Sequence, residues 1–228
     1  MPKVGTCTYC GQQGAITRDH VPPDSIFSDP KPPNLVTVPA CLPCNEAFKL
    51  DDEYFRTFVV TAGFQNRSAR NLWNRKIIAS PNAESIRQIL RRSMKDLELR
   101  SPGGIYLGTA PAVTLDAQRI LRIAARIVLG LLWHHYRVRL EPSIKIYAGR
   151  LWKLDGMETL LSACVKCSIG NDIFAYAHAV PREDVNQGVW FLEFYGGPMF
   201  FVVAVRQQQI ESEWMFEIPR PCLMRKHQ

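Results

Sequence analysis

Residues 41–49 read CLPCNEAFK, and a matching pair of cysteines, Cys7 and Cys10, lies near the start of the chain. Each pair has C-x-x-C spacing, which lets two thiolates bind one ion. A module of about sixty residues buries too little apolar surface to be secure alone, so a structural metal is physically reasonable here. The two pairs together predict one tetrahedral zinc site of four thiolates, completed by Cys41 and Cys44; unrelated buried cysteines are the alternative.

The composition indicates an ordinary globular protein. The 228 residues are 46% hydrophobic, enough for one domain or two small ones. The first residues, MPKVGTCTYC, contain no apolar signal segment, and the longest apolar run, at 127–133, is too short to span a bilayer. We therefore expect a cytoplasmic protein with no membrane partner. In a reducing compartment, paired cysteines bind metal more often than they form disulfides.

The net charge of +7 is concentrated in the middle of the chain. Residues 63–155 contain 17 Lys/Arg and 6 Asp/Glu, a net charge of +11. The segments on either side each have a net charge of −2. Such a block favours a polyanionic partner, with solvated helix surfaces as the alternative. The candidate contacts to a nucleic-acid backbone are Lys49, Arg67, Arg70, Arg91, Arg92, Arg119, Arg122 and Arg126.

The hydrophobic pattern changes along the chain. Helical spacing is found over residues 46–61, 82–99 and 115–137. Beyond residue 144, runs rich in β-branched and aromatic residues are separated by Gly, Pro and Asn, which predicts an antiparallel sheet with a turn at 196–198.

These patterns predict an α+β fold class. An N-terminal module is expected over residues 1–62. The remainder, 63–228, is expected to form a basic helical region (63–143) and a β-rich C-terminal part with an antiparallel sheet (144–228).

Between the two cysteine pairs, Asp19 and His20 are adjacent. A carboxylate is a ligand that Mg²⁺ prefers, and a histidine titrates near neutral pH. Neighbouring side chains of an extended strand point to opposite faces, so the two residues are expected to divide the work. Asp19 would bind a metal, and His20 would remove a proton from water. Taken alone, such a pair is often only a surface hydrogen bond.

Read in order, C-x-x-C, DHVPP, NLVTV and C-x-x-C-N-x-x-x-K resemble the HNH endonuclease superfamily with its ββα-metal motif, over roughly residues 4–60. The resemblance implies a zinc-bearing branch in which the four cysteines hold a structural ion. It implies that Asp19 occupies the first metal-binding position and that His20 is the general base. Asn34 matches the asparagine whose side chain braces the loop that orients this histidine.

The third metal position holds Asn45, where many members of the superfamily have a histidine. Members similar to the recombination endonuclease VII group use an asparagine there as a metal ligand, directly after the last zinc cysteine. An amide oxygen suits Mg²⁺ or Mn²⁺, so the resemblance implies one catalytic ion held by Asp19 and Asn45. The alternative is that Asn45 is only the N-cap of the helix expected over 46–61.

The reaction implied by the resemblance is metal-assisted hydrolysis of a phosphodiester, leaving a 5′-phosphate and a 3′-hydroxyl. The expected protein is thus a divalent-metal-dependent DNA endonuclease, with RNA as an alternative substrate. A zinc-dependent nucleic-acid-binding module with a silent nuclease centre is the alternative function. A homodimer is allowed by the sequence but not indicated by it.

Two further motifs resemble metal pairs: a third C-x-x-C at 164–167, and the adjacent residues His134 and His135. The cysteines of the third pair are expected to be structural, because only Cys222 and His178 are distant candidates to complete a site with them. Adjacent helical residues point about 100° apart, so the two histidines are expected to pack at the end of the third helix.

Overall fold

The computed structural model describes residues 3–79, 94–151, 156–206 and 215–219 of a mixed α/β protein with antiparallel sheets. In chain order its strands are β1 (Lys3–Thr6), β2 (Gln13–Val21), β3 (Val36–Cys41), β4 (Met94–Arg100), β5 (Tyr106–Val113), β6 (Ile144–Leu151), β7 (Val165–Ile169), β8 (Phe174–Ala179), β9 (Gly188–Phe194), β10 (Met199–Arg206) and β11 (Met215–Glu217). Its α-helices are α1 (Leu42–Glu46), α2 (Lys49–Ala62), α3 (Arg67–Leu72), α4 (Ala117–Tyr136) and α5 (Glu158–Ser162). No helix in these ranges is both long and apolar enough to cross a membrane.

In the N-terminal part three strands are followed by two helices, so β2, β3 and α1 have the order strand, strand, helix. Strands β1, β2 and β3 form an antiparallel sheet with β2 in the centre, and α1 and α2 follow directly after β3. Pro39 lies within β3, which is tolerated because β3 is an edge strand of this sheet. The helix expected over 46–61 is found as α2, Lys49–Ala62, and the short helix α1, Leu42–Glu46, precedes it.

The C-terminal part contains the expected antiparallel sheet. Among the described residues its strand order is β11-β6-β10-β9-β8-β7. The expected turn at 196–198 joins β9 to β10, and Tyr195 and Gly196 have φ of 57° and 66°, left-handed values typical of a tight hairpin. One face of this sheet is covered by α4.

Helix α4 connects the two sheets. It packs against α2, β2 and β3 on the N-terminal side and against β6 and β10 on the C-terminal side. At Gly130 it approaches β2 so closely that a Cβ would lie 2.4 Å from Val21 Cγ2. One cluster of buried side chains therefore extends from Cys7 to Ile218, with members on both sides of the boundary expected at residue 62. The division into 1–62 and 63–228 stays a prediction.

The prediction of a helix over residues 82–99 is wrong for the last six of them. Met94–Arg100 is strand β4, which pairs with β5 as a separate antiparallel hairpin. The sequence alternates Leu97 and Leu99 with charged residues, a period of two that favours a strand once a partner is present. The Pro-Gly-Gly that follows forms the connection of the hairpin and not a helix end. Residues 80–93, with Arg91 and Arg92, lie outside the described residues.

Candidate functional site

The four cysteines of the two N-terminal pairs form one cluster. Their sulfur atoms all lie within 4.8 Å of one another, and the Sγ atoms of Cys10 and Cys41 are 3.7 Å apart. Tetrahedral zinc with Zn–S bonds of about 2.3 Å separates its sulfur ligands by about 3.8 Å. The turn after β1, the end of β3 and the first turn of α1 supply the ligands. This cluster can hold a metal such as zinc.

The electrostatics of the cluster fit a cation. A hydrogen bond with Cys44 lowers the pKa of Cys7 to about 4, whereas burial raises the pKa of Cys10 to about 11. The cluster thus ionises readily at Cys7, whereas burial opposes the ionisation of Cys10. A divalent ion would supply the charge that lets all four sulfurs ionise.

A cleft of about 390 Å³ opens beside the cysteine cluster. Asp19 and His20 from β2 and Asn45 from α1 all line it. The side chain of His20 is half-buried and makes no hydrogen bond with another described residue. The remaining lining residues are mostly charged: Arg18, Pro23, Asp24, Ser25, Lys49, Asp52, Glu53 and Arg56. The structure therefore brings three of the four side chains expected in the catalytic site, those of Asp19, His20 and Asn45, to one polar cleft.

Asn45 is not a helix cap. It lies inside α1, whose N-cap is Cys41, and the N-cap residue of α2 is Phe48. Its amide nitrogen donates to Thr17 Oγ1 at 3.0 Å and to the carbonyl of Arg18 at 3.4 Å. These bonds hold the amide against β2, and its oxygen accepts from no described residue. The oxygen is thus available to a ligand in the cleft.

Asp19 is held by a buried ion network. The residue is 6% exposed, and one carboxylate oxygen accepts from Arg126 Nη2 at 2.7 Å. The other oxygen accepts from the hydroxyl of Tyr9. Arg126 also contacts both oxygens of Asp52, at 3.2 and 3.1 Å. Its guanidinium lies over the ring of Phe48, 4.5 Å from the centroid. The guanidinium of Arg126 thus forms ion pairs with both carboxylates, those of Asp19 and Asp52, which line the cleft.

The protonation equilibria of this network follow from its burial. Burial raises the pKa of Asp52 to about 6, and the nearby charge of Asp19 adds to the effect, although Arg126 opposes it. Burial and the charge of Asp19 raise the pKa of Tyr9 well above its usual value, so its hydroxyl stays a donor. Burial acts to lower the pKa of Arg126, but its anionic neighbours raise it above the usual range.

Three of the arginines expected to contact a duplex pair with acidic side chains of the protein. Arg126 is only 3% exposed, so its expected contact with a nucleic-acid backbone does not fit the fold. Arg119 and Arg122 both pair with Asp51, at 2.7 and 3.1 Å, and Arg119 also stacks on Tyr54. The physical reason is that α2, which carries several acidic residues in its first turns, packs along this face of α4.

The other basic candidates lie at the surface. Arg67 and Arg70 are exposed on α3, and Arg70 donates to the carbonyls of Phe64 and Gln65. Lys49 lines the cleft and pairs with the exposed Glu46 at 3.2 Å. Arg18 is exposed at the cleft edge and is a cationic residue that the sequence did not single out.

Asn34 has a different environment from the one expected. Its side chain is exposed and donates to the carbonyl of Ser168, in β7 of the large sheet, at 3.1 Å. It does not line the cleft around His20. Among the described residues, the observed role of Asn34 is to join the connection before β3 to the C-terminal sheet.

The sequence missed the partners of Asp19. Arg126 lies within the run Ile123–Leu132, whose other members are all apolar or glycine and all buried. A lone charge in such a run indicates a buried cation that needs an acidic partner. That signal could have marked Arg126 as internal, but not its partners, which come from β2 and α2.

Comparisons with protein-family models, with curated proteins and with solved structures found no match to this chain.

Proposed function

We propose that this chain is a divalent-metal-dependent DNA endonuclease of the HNH type. The observation that carries the proposal is the meeting of Asp19, His20 and Asn45 in one cleft, beside a four-cysteine cluster, on a strand–strand–helix framework. These are oxygen and nitrogen groups of the kind that phosphodiester hydrolysis needs.

The oxygen donors of the cleft fit Mg²⁺ or Mn²⁺. Asp19 and Asn45 offer a carboxylate and an amide oxygen, which hard divalent cations prefer. Each carboxylate oxygen of Asp19 has more than one acceptor position, so its bonds from Arg126 and Tyr9 leave capacity for an ion. When bound there, the ion would stabilise the charge that develops on the phosphodiester.

His20 would act as the general base. It follows Asp19 on β2, is half-buried and has no competing partner among the described residues, so its ring can accept a proton from water in the cleft. Lys49 and Arg18 at the rim are positioned to contact phosphate oxygens without sequence preference.

The second candidate function is a zinc-dependent nucleic-acid-binding module with a silent nuclease centre. One observation favours it: Arg126 places a permanent positive charge 2.7 Å from Asp19. This charge repels a second cation, and it lowers the affinity of Asp19 for a divalent ion.

Plasmid nicking with added Mg²⁺ or Mn²⁺ tests the proposal. The wild type should nick supercoiled DNA, and His20→Ala and Asn45→Ala should each lose at least about 100-fold in rate, the usual contribution of a general base or an electrostatic group. His134→Ala, which removes a histidine outside the cleft, is the matched control and should keep the rate. DNA binding without nicking by a zinc-loaded wild type would establish the second candidate instead.

A further inference from the structure

Three metal-ligating side chains that the proposed function does not use meet where the end of α4 reaches the large sheet. They are His135 from α4, Cys167 from β7 and His178 from β8, and their candidate ligand atoms all lie within 4.8 Å of one another. The strand register explains the meeting. Cys167 lies opposite Tyr176, and His178 lies two residues further along β8, so the side chains of Cys167 and His178 share one face of the sheet.

One ring nitrogen of His178 is buried without a hydrogen-bond partner among the described residues. This nitrogen is Nε2, and the residue is 3% exposed. Its other nitrogen, Nδ1, lies 3.2 Å from the hydroxyl of Tyr136. A proton on Nδ1 would be donated to that oxygen, which leaves a bare lone pair on Nε2. A metal-ligating histidine has this arrangement, because its second nitrogen donates to a fixed acceptor.

The surroundings suit an ion as well. The ring of His178 stacks on Trp190 with centroids 4.6 Å apart and on Tyr176 at 6.2 Å, which excludes water from that side. The hydroxyl of Tyr176 lies 2.9 Å from His135 Nε2, and Tyr176 lies opposite Cys167 in the β7–β8 pair.

We propose that His135, Cys167 and His178 bind a second divalent ion of the zinc type, separate from the four-cysteine cluster. Two imidazoles and one thiolate select zinc over Mg²⁺, which prefers oxygen ligands. Tetrahedral zinc separates such ligand atoms by roughly 3.5 Å. Side-chain rotations that move the ligand atoms by about 1 Å therefore bring all three to bonding distance from one ion. Three protein ligands leave a fourth position for water. The thiol proton of Cys167 is released to solvent on binding.

Metal content tests this site, because the sequence supplies a matched control for two of the three ligands. Cys164 belongs to the same C-x-x-C, but its thiol donates to the carbonyl of Leu160 and it is not in the cluster. His134 precedes His135 on α4 and is also outside the cluster. The wild type, Cys167→Ser, His135→Ala, Cys164→Ser and His134→Ala would each be saturated with zinc, freed of excess metal by gel filtration and assayed for zinc per chain.

The two ligand variants should each hold one zinc fewer than the wild type, and the two control variants should match the wild type. Substitution with Co²⁺ gives a second readout, since Cys167→Ser should lose one set of thiolate-to-cobalt charge-transfer bands. Circular dichroism checks that each variant is folded, and the two ligand variants change different elements, so either one alone gives a result. Equal zinc in all five proteins would overturn the proposal, as would loss of the same ion from a control variant.

Discussion

The buried network around Arg126 gives the sharpest test of the structure. Replacing Arg126 with Met keeps most of the aliphatic volume but removes the cation that pairs with Asp19 and Asp52. Breaking a buried pair in this way leaves an uncompensated charge and costs about 3–5 kcal/mol. Native domains are stable by roughly 5–15 kcal/mol, so we expect Arg126→Met to fold with a much reduced free energy of unfolding.

Urea denaturation at pH 7 measures this effect. With a slope of about 2 kcal/mol per molar urea, the midpoint should fall by roughly 1.5–2.5 M. Arg122→Met is the matched control, because Arg122 lies one turn earlier on α4 and its pair with Asp51 is more exposed. That pair should contribute about 1 kcal/mol or less. Equal losses in the two variants, or a loss below about 1 kcal/mol for Arg126→Met, would refute the buried network.

Three other outcomes follow from contacts elsewhere in the fold. Folding raises the pKa of Asp52 from 3.8 to about 6, so the folded state binds this proton more tightly than the unfolded state does. The free energy of unfolding should therefore fall by up to about 3 kcal/mol as the pH rises from about 4 to above 6. Without added magnesium, Asp52→Asn should remove that fall from the pH profile, and an unchanged profile would contradict the assignment. Gly130→Ala should destabilise by about 1–3 kcal/mol in urea, although alanine favours helix, because its Cβ would overlap Val21; a gain in stability would show that α4 can move away from β2. Cys44→Ser should lower the melting temperature by at least about 6 °C and remove the zinc of the four-cysteine cluster, whereas Cys164→Ser should do neither. Equal melting temperatures would show that this cluster carries no stabilising metal.

Local patterns predicted the local structure well. The runs of β-branched and aromatic residues beyond residue 144 became strands β6, β8, β9 and β10, and the helix expected over 115–137 is α4, within two residues of the expected bounds. These features depend on neighbours a few positions apart, which the sequence states directly. The hairpin of β4 and β5 shows the limit, because Met94–Arg100 also has good helix formers and its partner strand decides between the two states.

The cysteine spacing by itself predicted the four-cysteine cluster, and the order of Asp19, His20 and Asn45 predicted three of the residues that line the cleft, because all seven lie close together in the sequence. Asn34, which was expected with them, does not line it. Only the tertiary structure decided what surrounds them. Arg126 joins Asp19 from 107 positions away, and His135 joins Cys167 and His178 through the register of a separate sheet. Such contacts are fixed by how α4 packs between the two sheets, and a one-dimensional pattern does not specify that packing.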